Sequence, residues 1–411
     1  MKNDKIVIIG GGASGMVAAI SAKRTNPNAE VIIMDRMKSL GKKLLATGNG
    51  KGNFSNVKAS PRFYNDPEYV EKIFSQVSLF DTIRFFDELG IFPKNDAEGR
   101  MYPFSDMASS IHGCLTTEIE RLKIEVQFET EVKEIIKDNP KFRIQCNDQM
   151  IVCDKVILTA GGCAYPNLGS NGSGFNLLES LGHHITDVYP SLVGLVVRES
   201  TKQLAGIRLK GTVSLEADGK EIGFEYGEVQ MRDSGVSGIV MMQMSVIIAR
   251  RKVLHQQEEY VVKIDLMPSI QKNDIVDILK TRRLNQLHNP ISSFFIGMFH
   301  PNLGTELFRR INVMDTNQKA NTLTDKDMDQ LANHIKALGF HFEDFYKFGD
   351  AQVSAGGAKL EEFFPETLES KLVENLFCAG EILNVDGESG GFNLQWAWSS
   401  GILAGKSAAS V

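Results

Sequence analysis

The chain has 411 residues, of which 42% are hydrophobic and 23% are charged, and its formal net charge is −6. This length predicts two or three domains rather than one compact core. No run of about 18 apolar residues is present that could span a bilayer, and the mixed, slightly acidic charge provides no basic footprint for nucleic acid. We therefore expect a cytoplasmic protein that acts on a small molecule, without nucleic acid or a membrane as partner. The oligomeric state is left open.

Cysteine usage gives no sign of a disulfide framework or of a metal centre. The number of cysteines is odd, and no two of them have C-x-x-C spacing. Scattered cysteines without a nearby histidine cluster argue against a zinc site and a dithiol redox centre. We therefore expect no bound metal.

A strand, a glycine turn and a helix open the chain. The apolar run over residues 6–9 is followed by Gly-x-Gly-x-x-Gly spacing at Gly10, Gly12 and Gly15, and then by a helical pattern. In dinucleotide-binding folds these glycines permit the tight turn, the approach of a pyrophosphate and close helix packing. The pyrophosphate would lie at the helix N-terminus, beside Ala13 and Ser14. Because any glycine turn between a strand and a helix looks similar, this motif alone leaves both interpretations open.

The second strand narrows the choice of cofactor. A second apolar run over residues 31–34 ends in Asp35, twenty positions after Gly15. An acidic side chain at that strand tip accepts hydrogen bonds from the adenosine ribose and repels a 2′-phosphate. The pattern therefore indicates FAD or NAD rather than NADP. Arg36 either covers the adenine or is a solvated surface residue.

The next segment favours a flavin. Residues 40–56 are dense in glycine, amide and hydroxyl groups, where an NAD dehydrogenase would enter a helix. FAD enzymes of the glutathione-reductase type place a loop here that follows the pyrophosphate to the flavin. We expect phosphate contacts from Lys42 and Lys43. Contacts to the ribityl chain or the flavin ring are expected from Thr47, Gly48, Asn49 and Asn53. The alternative is an ordinary flexible surface loop.

Two later strands add further contacts. A strand over residues 130–135 would offer a backbone group at Val132 to the adenine. The apolar strand over residues 155–158 leads to Ala160, Gly161 and Gly162, where the backbone must pass close to the cofactor.

The last part of the chain completes the expected site. The apolar run over residues 376–378 is followed by Gly380 and Glu381, and a glycine-rich turn then leads into a helix. Such a segment binds the ribityl chain and directs helix amides at the flavin, where negative charge accumulates on reduction. The alternative, a capped amphipathic helix, does not explain the clustered acid and glycines. The residues expected to contact the cofactor in the turn and at the start of the helix are Asp386, Gly391, Phe392, Asn393 and Leu394.

The blocks GGGASG, GKKLLATGNGKGNFSN and FCAGEILNVDGESGGFNLQWAWSSG together resemble a bacterial NAD(P)/FAD-dependent oxidoreductase family over essentially the whole chain. That family includes aminoacetone-oxidase-type proteins and a 3-dehydro-bile-acid Δ4,6-reductase. The resemblance implies an α/β fold: a Rossmann-like FAD domain of the glutathione-reductase type, an inserted β-barrel, and a helical insert within the barrel. One departure is Gly52, where family members commonly carry a cysteine, so no role of that thiol transfers.

The chain fits this plan. Apolar and polar residues alternate over residues 191–266 and again over 340–349, which predicts barrel strands. Helix caps and helical spacing occur within residues 269–337. We therefore predict an FAD domain from residues 1–190 and 350–411, a barrel from residues 191–267 and 338–349, and a helical insert over residues 268–337.

The resemblance favours a reductase that uses FAD to reduce an activated C=C bond, such as that of an enone, including steroid-like or bile-acid-like ones. The chain has no second dinucleotide fingerprint, so NADH or NADPH would bind transiently as donor. The alternatives are a flavin-dependent amine oxidase of the aminoacetone type and a non-catalytic flavin-binding sensor. RNA modification is a further alternative, against which the acidic charge counts.

Catalytic residues are not assigned by this pattern. Tyr102, Tyr165 and Ser354 are candidate proton donors because each adjoins a segment expected near the flavin ring. His183 and His184 follow a turn-like Leu-Gly pair and are interpreted as structural.

Overall fold

The computed structural model describes residues 4–147 and 149–410, and the chain forms two compact units. The first unit contains the chain up to Leu192, the short stretch Lys252–Leu254, and the chain from Lys347 onward. The second unit contains Val193–Arg251 and His255–Tyr346. Within the described ranges, no helix combines the length and apolar character needed to cross a membrane.

The first unit begins with eleven strands and six helices in the described part of the chain. The strands are β1 (Lys5–Ile9), β2 (Glu30–Met34), β3 (Ser55–Asn56), β4 (Pro93–Asn95), β5 (Arg100–Pro103), β6 (Glu125–Gln127), β7 (Val132–Asp138), β8 (Lys141–Cys146), β9 (Gln149–Cys153), β10 (Lys155–Leu158) and β11 (Tyr189–Ser191). The helices are α1 (Ala13–Thr25), α2 (Lys42–Leu45), α3 (Pro67–Phe74), α4 (Leu79–Glu88), α5 (Ala108–Arg121) and α6 (Ser173–Ser180).

The second unit follows in the chain. Its elements are β12 (Leu195–Val197), β13 (Arg208–Ala217), β14 (Lys220–Arg232), β15 (Gly235–Ser237), α7 (Ile239–Val253), β16 (Tyr260–Asp265), α8 (Lys272–Asn285), α9 (Pro301–Arg310), α10 (Asp325–Lys336) and β17 (Leu338–Phe345). The chain then returns to the first unit with β18 (Val353–Ala355), β19 (Leu376–Cys378) and α11 (Phe392–Ala409).

A parallel sheet of five strands forms the centre of the first unit. Its order is β19-β10-β1-β2-β6, so the final strand of the chain lies at one edge and the first strand in the middle. The apolar residues of β1, β2, β10 and β19 are buried almost completely. Strands of a parallel sheet that are covered on both faces consist of continuous apolar runs. Because of these runs, all four strands could be predicted from the sequence.

The helices α1 and α11 pack against each other beside this sheet. A β-carbon placed on Gly401 of α11 would lie 2.5 Å from the carbonyl oxygen of Ser14 in α1. Only glycine permits so close an approach. The two ends of the chain therefore build one domain around one sheet.

Three small sheets complete the first unit. Strands β3, β5 and β4 form one antiparallel sheet, β7, β8 and β9 form another, and β11 pairs with β18. The first of these holds the segment that follows the glycine-rich loop, because Ser55 pairs with Met101 and Asn56 with Arg100. The loop is thereby fixed at its C-terminal end.

The second unit is a closed six-stranded barrel with the strand order β12-β15-β14-β13-β16-β17. The helices α8, α9 and α10 lie in the chain between β16 and β17. Thr324 begins α10 with a capping box, because its hydroxyl accepts a hydrogen bond from the N–H of Asp327 while the Asp327 carboxylate accepts from the N–H of Thr324. The predicted α/β fold, with a barrel insert that carries a helical segment, is confirmed.

One sequence prediction is wrong in this unit. Residues 191–266 were expected to be barrel strands, but residues Ile239–Val253 form the helix α7. Gly238 ends the strand with a φ of 104°, and the residues after it include three methionines and three basic side chains, which favour helix. Gly223 and Gly227 of β14 leave room for Ile247 and Val240 of this helix.

Candidate functional site

The expected cofactor segments meet at one edge of the parallel sheet. The strands β1, β2, β10 and β19 run in the same direction, so their carboxyl ends lie side by side. Ligands of open α/β sheets bind at this edge. The edge brings together Gly10, Asp35, Gly161 and Gly380, which come from parts of the chain more than two hundred residues apart.

The three glycines of the first turn have different surroundings. A β-carbon on Gly10, whose φ is 103°, would lie 2.6 Å from the carbonyl oxygen of Thr159, and one on Gly15 would lie 1.9 Å from the oxygen of Gly10. At Gly12 no heavy atom lies within 4 Å of that position. Gly10 and Gly15 are therefore required by packing, whereas Gly12 faces open space.

The open space beside Gly12 adjoins the N-terminus of α1, where backbone amides are available to a ligand. Gly12 is the N-cap of α1, and no side chain caps this helix. The first amides of a helix have no carbonyl partner within the helix and carry the positive end of its dipole. An uncapped N-terminus beside an open glycine fits a phosphate group, with Ala13 and Ser14 in the first turn.

Asp35 lies at the tip of β2 with its carboxylate fixed by the backbone. One carboxylate oxygen accepts the N–H of Gly11 at 2.7 Å and the other accepts the N–H of Met37 at 2.7 Å. Burial raises the pKa of this carboxyl, and the two backbone donors partly oppose that shift. Each carboxylate oxygen retains further acceptor capacity, which suits ribose hydroxyls. Arg36, the next residue, is exposed.

The loop after α2 is a tight turn that closes on itself. Gly48 and Asn49 both have positive φ, 56° and 54°, and the hydroxyl of Thr47 donates to the carbonyl of Leu44. The side-chain amide of Asn53 donates to the carbonyls of Ser55 and Met101. The side chains of Thr47 and Asn53 thus hold the loop in shape, while the exposed backbone at Gly48 and Asn49 faces outward.

The two lysines of this loop differ in their surroundings. Lys43 forms an ion pair with Glu381, with 2.7 Å between Nζ and Oε2. Lys42 is half-buried and contributes a favourable charge to Asp35. Both lysines were expected to contact phosphates. In the structure, Lys43 is instead paired with a carboxylate.

The segment after β10 lies directly against the segment after β19. A β-carbon on Gly162 would lie 2.6 Å from the hydroxyl oxygen of Ser354 and 3.0 Å from Oε1 of Glu381. Gly161 has a φ of 74°, and Ala160 before it is half-buried. Gly380 has a φ of 80°, and a β-carbon there would lie 2.4 Å from the hydroxyl of Ser14. No larger side chain fits at these glycines.

The helix α11 provides a second uncapped N-terminus. Its N-cap is Gly391, with a φ of 101° and a backbone packed so closely that a β-carbon would lie 2.3 Å from the carbonyl oxygen of Ser55. Asn393 closes the preceding turn, because its side chain accepts from the N–H of Gly387 and donates to the carbonyl of the same residue. Phe392 stacks on Phe63 with 4.3 Å between the ring centroids.

The contact between α1 and α11 determines how far apart the two helix N-termini lie. Ser14 of α1 contacts Gly401, which lies nine residues along α11 from Phe392. Nine residues of helix span roughly 14 Å at 1.5 Å per residue. Gly380 contacts Ser14 of α1 and accepts the indole N–H of Trp396 in α11, so Gly380 and Glu381 lie between these two helix ends.

Three further residues that were expected to contact the cofactor have the following surroundings. Val132 begins β7, pairs with Cys146 and has a buried side chain. Asp386 is buried, and its N–H donates to the side chain of Asn65. Leu394 is half-buried against the core.

Sequence reasoning missed the hydrogen bonds that hold α11 in place. The side chain of Gln395 accepts from the hydroxyl of Ser55 and donates to that of Thr82. The indole N–H of Trp396 donates to the carbonyl of Gly380, and that of Trp398 donates to the carbonyl of Phe54. Both tryptophans are buried core residues, and together with Gln395 they attach the cofactor segments to the helix.

His183 and His184 form a cluster with Glu362. The two rings contact opposite carboxylate oxygens, at 2.8 Å for His183 and 2.6 Å for His184. The other ring nitrogen of His183 lies 2.9 Å from the hydroxyl of Ser370. The arrangement of Ser370, His183 and Glu362 resembles the catalytic triad of a hydrolase. However, Ser370 is buried and its hydroxyl oxygen accepts two backbone N–H groups. These bonds agree with the interpretation of both histidines as structural.

Both the sequence and the fold of the chain are similar to those of known proteins. The sequence matches the HI0933-like protein Rossmann domain over residues 4–407. It is 36% identical to the 3-dehydro-bile acid delta(4,6)-reductase of Clostridium scindens, over 99% of both chains. It is 26% identical to the ribosomal RNA dihydrouridine synthase of Escherichia coli, over 97% of this chain and 96% of the relative. A 3-ketosteroid delta1-dehydrogenase from Sterolibacterium denitrificans has a similar fold, with a TM-score of 0.53, 10% identity and 99% coverage of both chains.

Proposed function

The chain belongs to the HI0933-like protein Rossmann domain family, and from this premise we propose that it reduces a C=C bond conjugated to a carbonyl group in a small organic molecule. The chain is a flavin-dependent oxidoreductase, and FAD is its cofactor. When bound, FAD supplies the hydride. The chain itself provides binding, orientation and the proton.

One observation carries this proposal. A relative that shares 36% of its residues across 99% of both chains is named a 3-dehydro-bile acid delta(4,6)-reductase. That name describes reduction of double bonds conjugated to a 3-oxo group. A steroid-like enone is therefore the first substrate class to test, and the enone carbonyl is the group that the site must orient.

The described residues provide a candidate for the proton donor. Tyr102 and Arg100 are two apart on β5, so they lie on one face of its sheet. The Tyr102 ring lies 3.5 Å from the position of a β-carbon on Gly48, and the Arg100 side chain lies 3.8 Å from that on Gly390. Tyr102 thus lies against the loop, and Arg100, on the same face, lies near the helix end that would hold the flavin ring.

The phenol of Tyr102 carries its proton near neutral pH. Burial raises the pKa of its phenol, and the neighbouring Arg100 guanidinium opposes that shift. The phenol therefore stays protonated near neutral pH and can donate a proton to the α-carbon of the enone. Ser354 is a weaker candidate, because it is only 1% exposed and its hydroxyl accepts the N–H of Cys163. Tyr165 is half-buried at the start of a short turn.

We assign the role of electron donor to NADH or NADPH. The sequence contains a single Gly-x-Gly-x-x-Gly fingerprint that follows a strand, and the first helix end is taken by the FAD pyrophosphate. The nicotinamide would therefore bind transiently at the flavin face, without a dinucleotide domain of its own.

A second candidate substrate is uridine in RNA. Two relatives, from Escherichia coli and Haemophilus influenzae, are named ribosomal RNA dihydrouridine synthases. The uracil double bond is also conjugated to a carbonyl, so the reaction class is the same. The expectation that nucleic acid has no part in function, which was drawn from the acidic net charge, is not supported by these relatives.

The test is a substrate comparison under anaerobic conditions. Protein reduced by NADH or NADPH is mixed with a 3-oxo-Δ4 steroid or with uridine-containing ribosomal RNA, and oxidised protein is mixed separately with aminoacetone. We expect the steroid to reoxidise the flavin. Reoxidation by RNA alone would favour the second candidate. Reduction of the oxidised flavin by aminoacetone would indicate an amine oxidase, and no response to any of them would leave the sensor interpretation.

A further inference from the structure

Lys43 and Glu381 form an ion pair that joins the two ends of the chain at the cofactor site. The Nζ of Lys43 lies 2.7 Å from Oε2 of Glu381, and the side chains are 25% and 20% exposed. Lys43 belongs to α2, at the start of the glycine-rich loop, and Glu381 follows β19. A partly buried pair of this length is stronger than a fully exposed surface pair.

The other carboxylate oxygen of Glu381 is also held. Oε1 accepts the N–H of Ser354 at 2.8 Å, and the hydroxyl of Ser354 in turn accepts the N–H of Cys163 at 2.8 Å. These bonds hold the Glu381 carboxylate against Gly162. A β-carbon on Gly162 would lie only 3.0 Å from Oε1 of Glu381. The position and rotation of the Glu381 carboxylate are therefore determined from two sides.

This carboxylate lies close to both helices whose N-termini are uncapped. Gly380, beside it, contacts Ser14 of α1, and its carbonyl accepts the indole N–H of Trp396 in α11. Glu381 thus lies between the two uncapped helix ends, where a ribityl chain would pass. An anionic carboxylate left there without Lys43 would be partly buried and unneutralised, which costs free energy.

We propose that Lys43 is a positioning residue for the ribityl chain and not a phosphate ligand. Its ammonium group orients and neutralises Glu381, whose remaining lone pairs accept the ribityl hydroxyls. This role presupposes that FAD is bound as proposed above. It assigns different functions to two adjacent lysines: Lys43 acts through Glu381, and Lys42 remains available to the phosphates.

The experiment compares FAD with ADP, which shares the adenosine and pyrophosphate but lacks the ribityl chain and ring. The apoproteins of the wild type, Lys43→Met, Lys43→Arg and Lys42→Met are titrated with each ligand by calorimetry. For Lys43→Met we expect the Kd for FAD to rise about tenfold, as for the loss of one charge-assisted hydrogen bond, with the Kd for ADP unchanged. Lys43→Arg should retain most of the FAD affinity. Lys42→Met should weaken both ligands alike.

An equal loss of FAD and ADP affinity in Lys43→Met would overturn this role, because it would make Lys43 a phosphate ligand. Unchanged affinity for both ligands would overturn it as well. Melting temperatures of the apoproteins show whether each variant is folded, and Lys43→Arg keeps the test valid if Lys43→Met is not. If the proposed function itself is wrong, the wild-type protein will bind no FAD. That outcome differs from both results that would overturn the role of Lys43.

Discussion

Gly405 of α11 lies against Ala18 of α1 so closely that a β-carbon on the glycine would be 2.2 Å from the Ala18 carbonyl oxygen. Together with Gly401 one turn earlier, it brings the backbones of the first and last helices into contact. This contact is the physical reason why the N-terminal fingerprint and the C-terminal block act as one cofactor site. In the sequence, the residues of the second unit come between these two helices.

We expect Gly405→Ala to destabilise the first unit. The added methyl group must displace the backbone of α1, and such overpacking costs about 1–3 kcal/mol. The control is Gly113→Ala in α5, where no atom lies within 4 Å of the new methyl group and helix propensity predicts a gain of about 0.5–1 kcal/mol. Thermal unfolding of both variants checks this. Equal melting temperatures for the two would show that close packing at Gly405 is unimportant.

Gly12→Ala should separate cofactor binding from folding. Gly12 has an ordinary extended conformation, with φ −76° and ψ −166°, and open space around it, so the apoprotein should keep its melting temperature. The methyl group would instead occupy space expected for the pyrophosphate, and FAD affinity should fall. Gly15→Ala should lower the melting temperature of the apoprotein. FAD affinity that is unaffected by Gly12→Ala would argue against a pyrophosphate at this helix end.

Tyr102→Phe should slow the transfer of electrons to the enone. Loss of a general acid typically costs 10²-fold or more, roughly, in the step that needs the proton. The reduction of the flavin by NADH or NADPH does not need this proton and should keep its rate. Stopped-flow measurement of both half-reactions checks this, with Tyr165→Phe as the matched control. If the two variants reoxidise at the same rate, Tyr102 is not the donor.

Stability should fall as the pH is lowered from about 6.5, the pKa of an unperturbed histidine. Burial lowers the pKa of His183, and this effect exceeds the opposing influence of Glu362. Below pH 6.5 the unfolded chain therefore takes up a proton that the folded chain does not, which favours unfolding. The pKa of Glu362 is also lowered, since hydrogen bonds from His184 and His183 outweigh its burial, so its contribution is lost at still lower pH.

The measurement is the melting temperature between pH 7.5 and pH 5, for the wild type and for His183→Gln. The variant should be less stable at pH 7.5, because the buried contacts of His183 are disturbed. Its melting temperature should then depend less on pH. The same slope in both proteins would show that His183 does not titrate with unfolding.

The features that could be predicted from the sequence depend on residues that are close together in the chain. The strands that end before Gly10, Asp35, Gly161 and Gly380 are continuous apolar runs followed by turn residues, which is what burial in a parallel sheet requires. The helix α7 was missed, because its apolar residues recur too densely to show a helical stripe.

The interactions that the sequence could not predict join residues far apart in the chain. Gln395 between Ser55 and Thr82, and Lys43 with Glu381, depend on which segments the fold brings together. Lys43 and Glu381 were each expected near the cofactor, but their pairing was not, and the bonds of Gln395 were not expected at all. For Lys43 the sequence indicated only a positive charge near a cofactor, which is equally compatible with a phosphate and with a carboxylate.

The central claim is that the chain is an FAD-dependent reductase supplied by a nicotinamide donor. The measurement that tests it most directly is an anaerobic absorbance scan of the purified, FAD-loaded protein before and after addition of NADH or NADPH, followed by a 3-oxo-Δ4 steroid. We expect the visible band of oxidised flavin to bleach with one of the nucleotides and to return when the enone is added. A protein that binds no FAD, or a bound flavin that neither nucleotide bleaches, would contradict the claim.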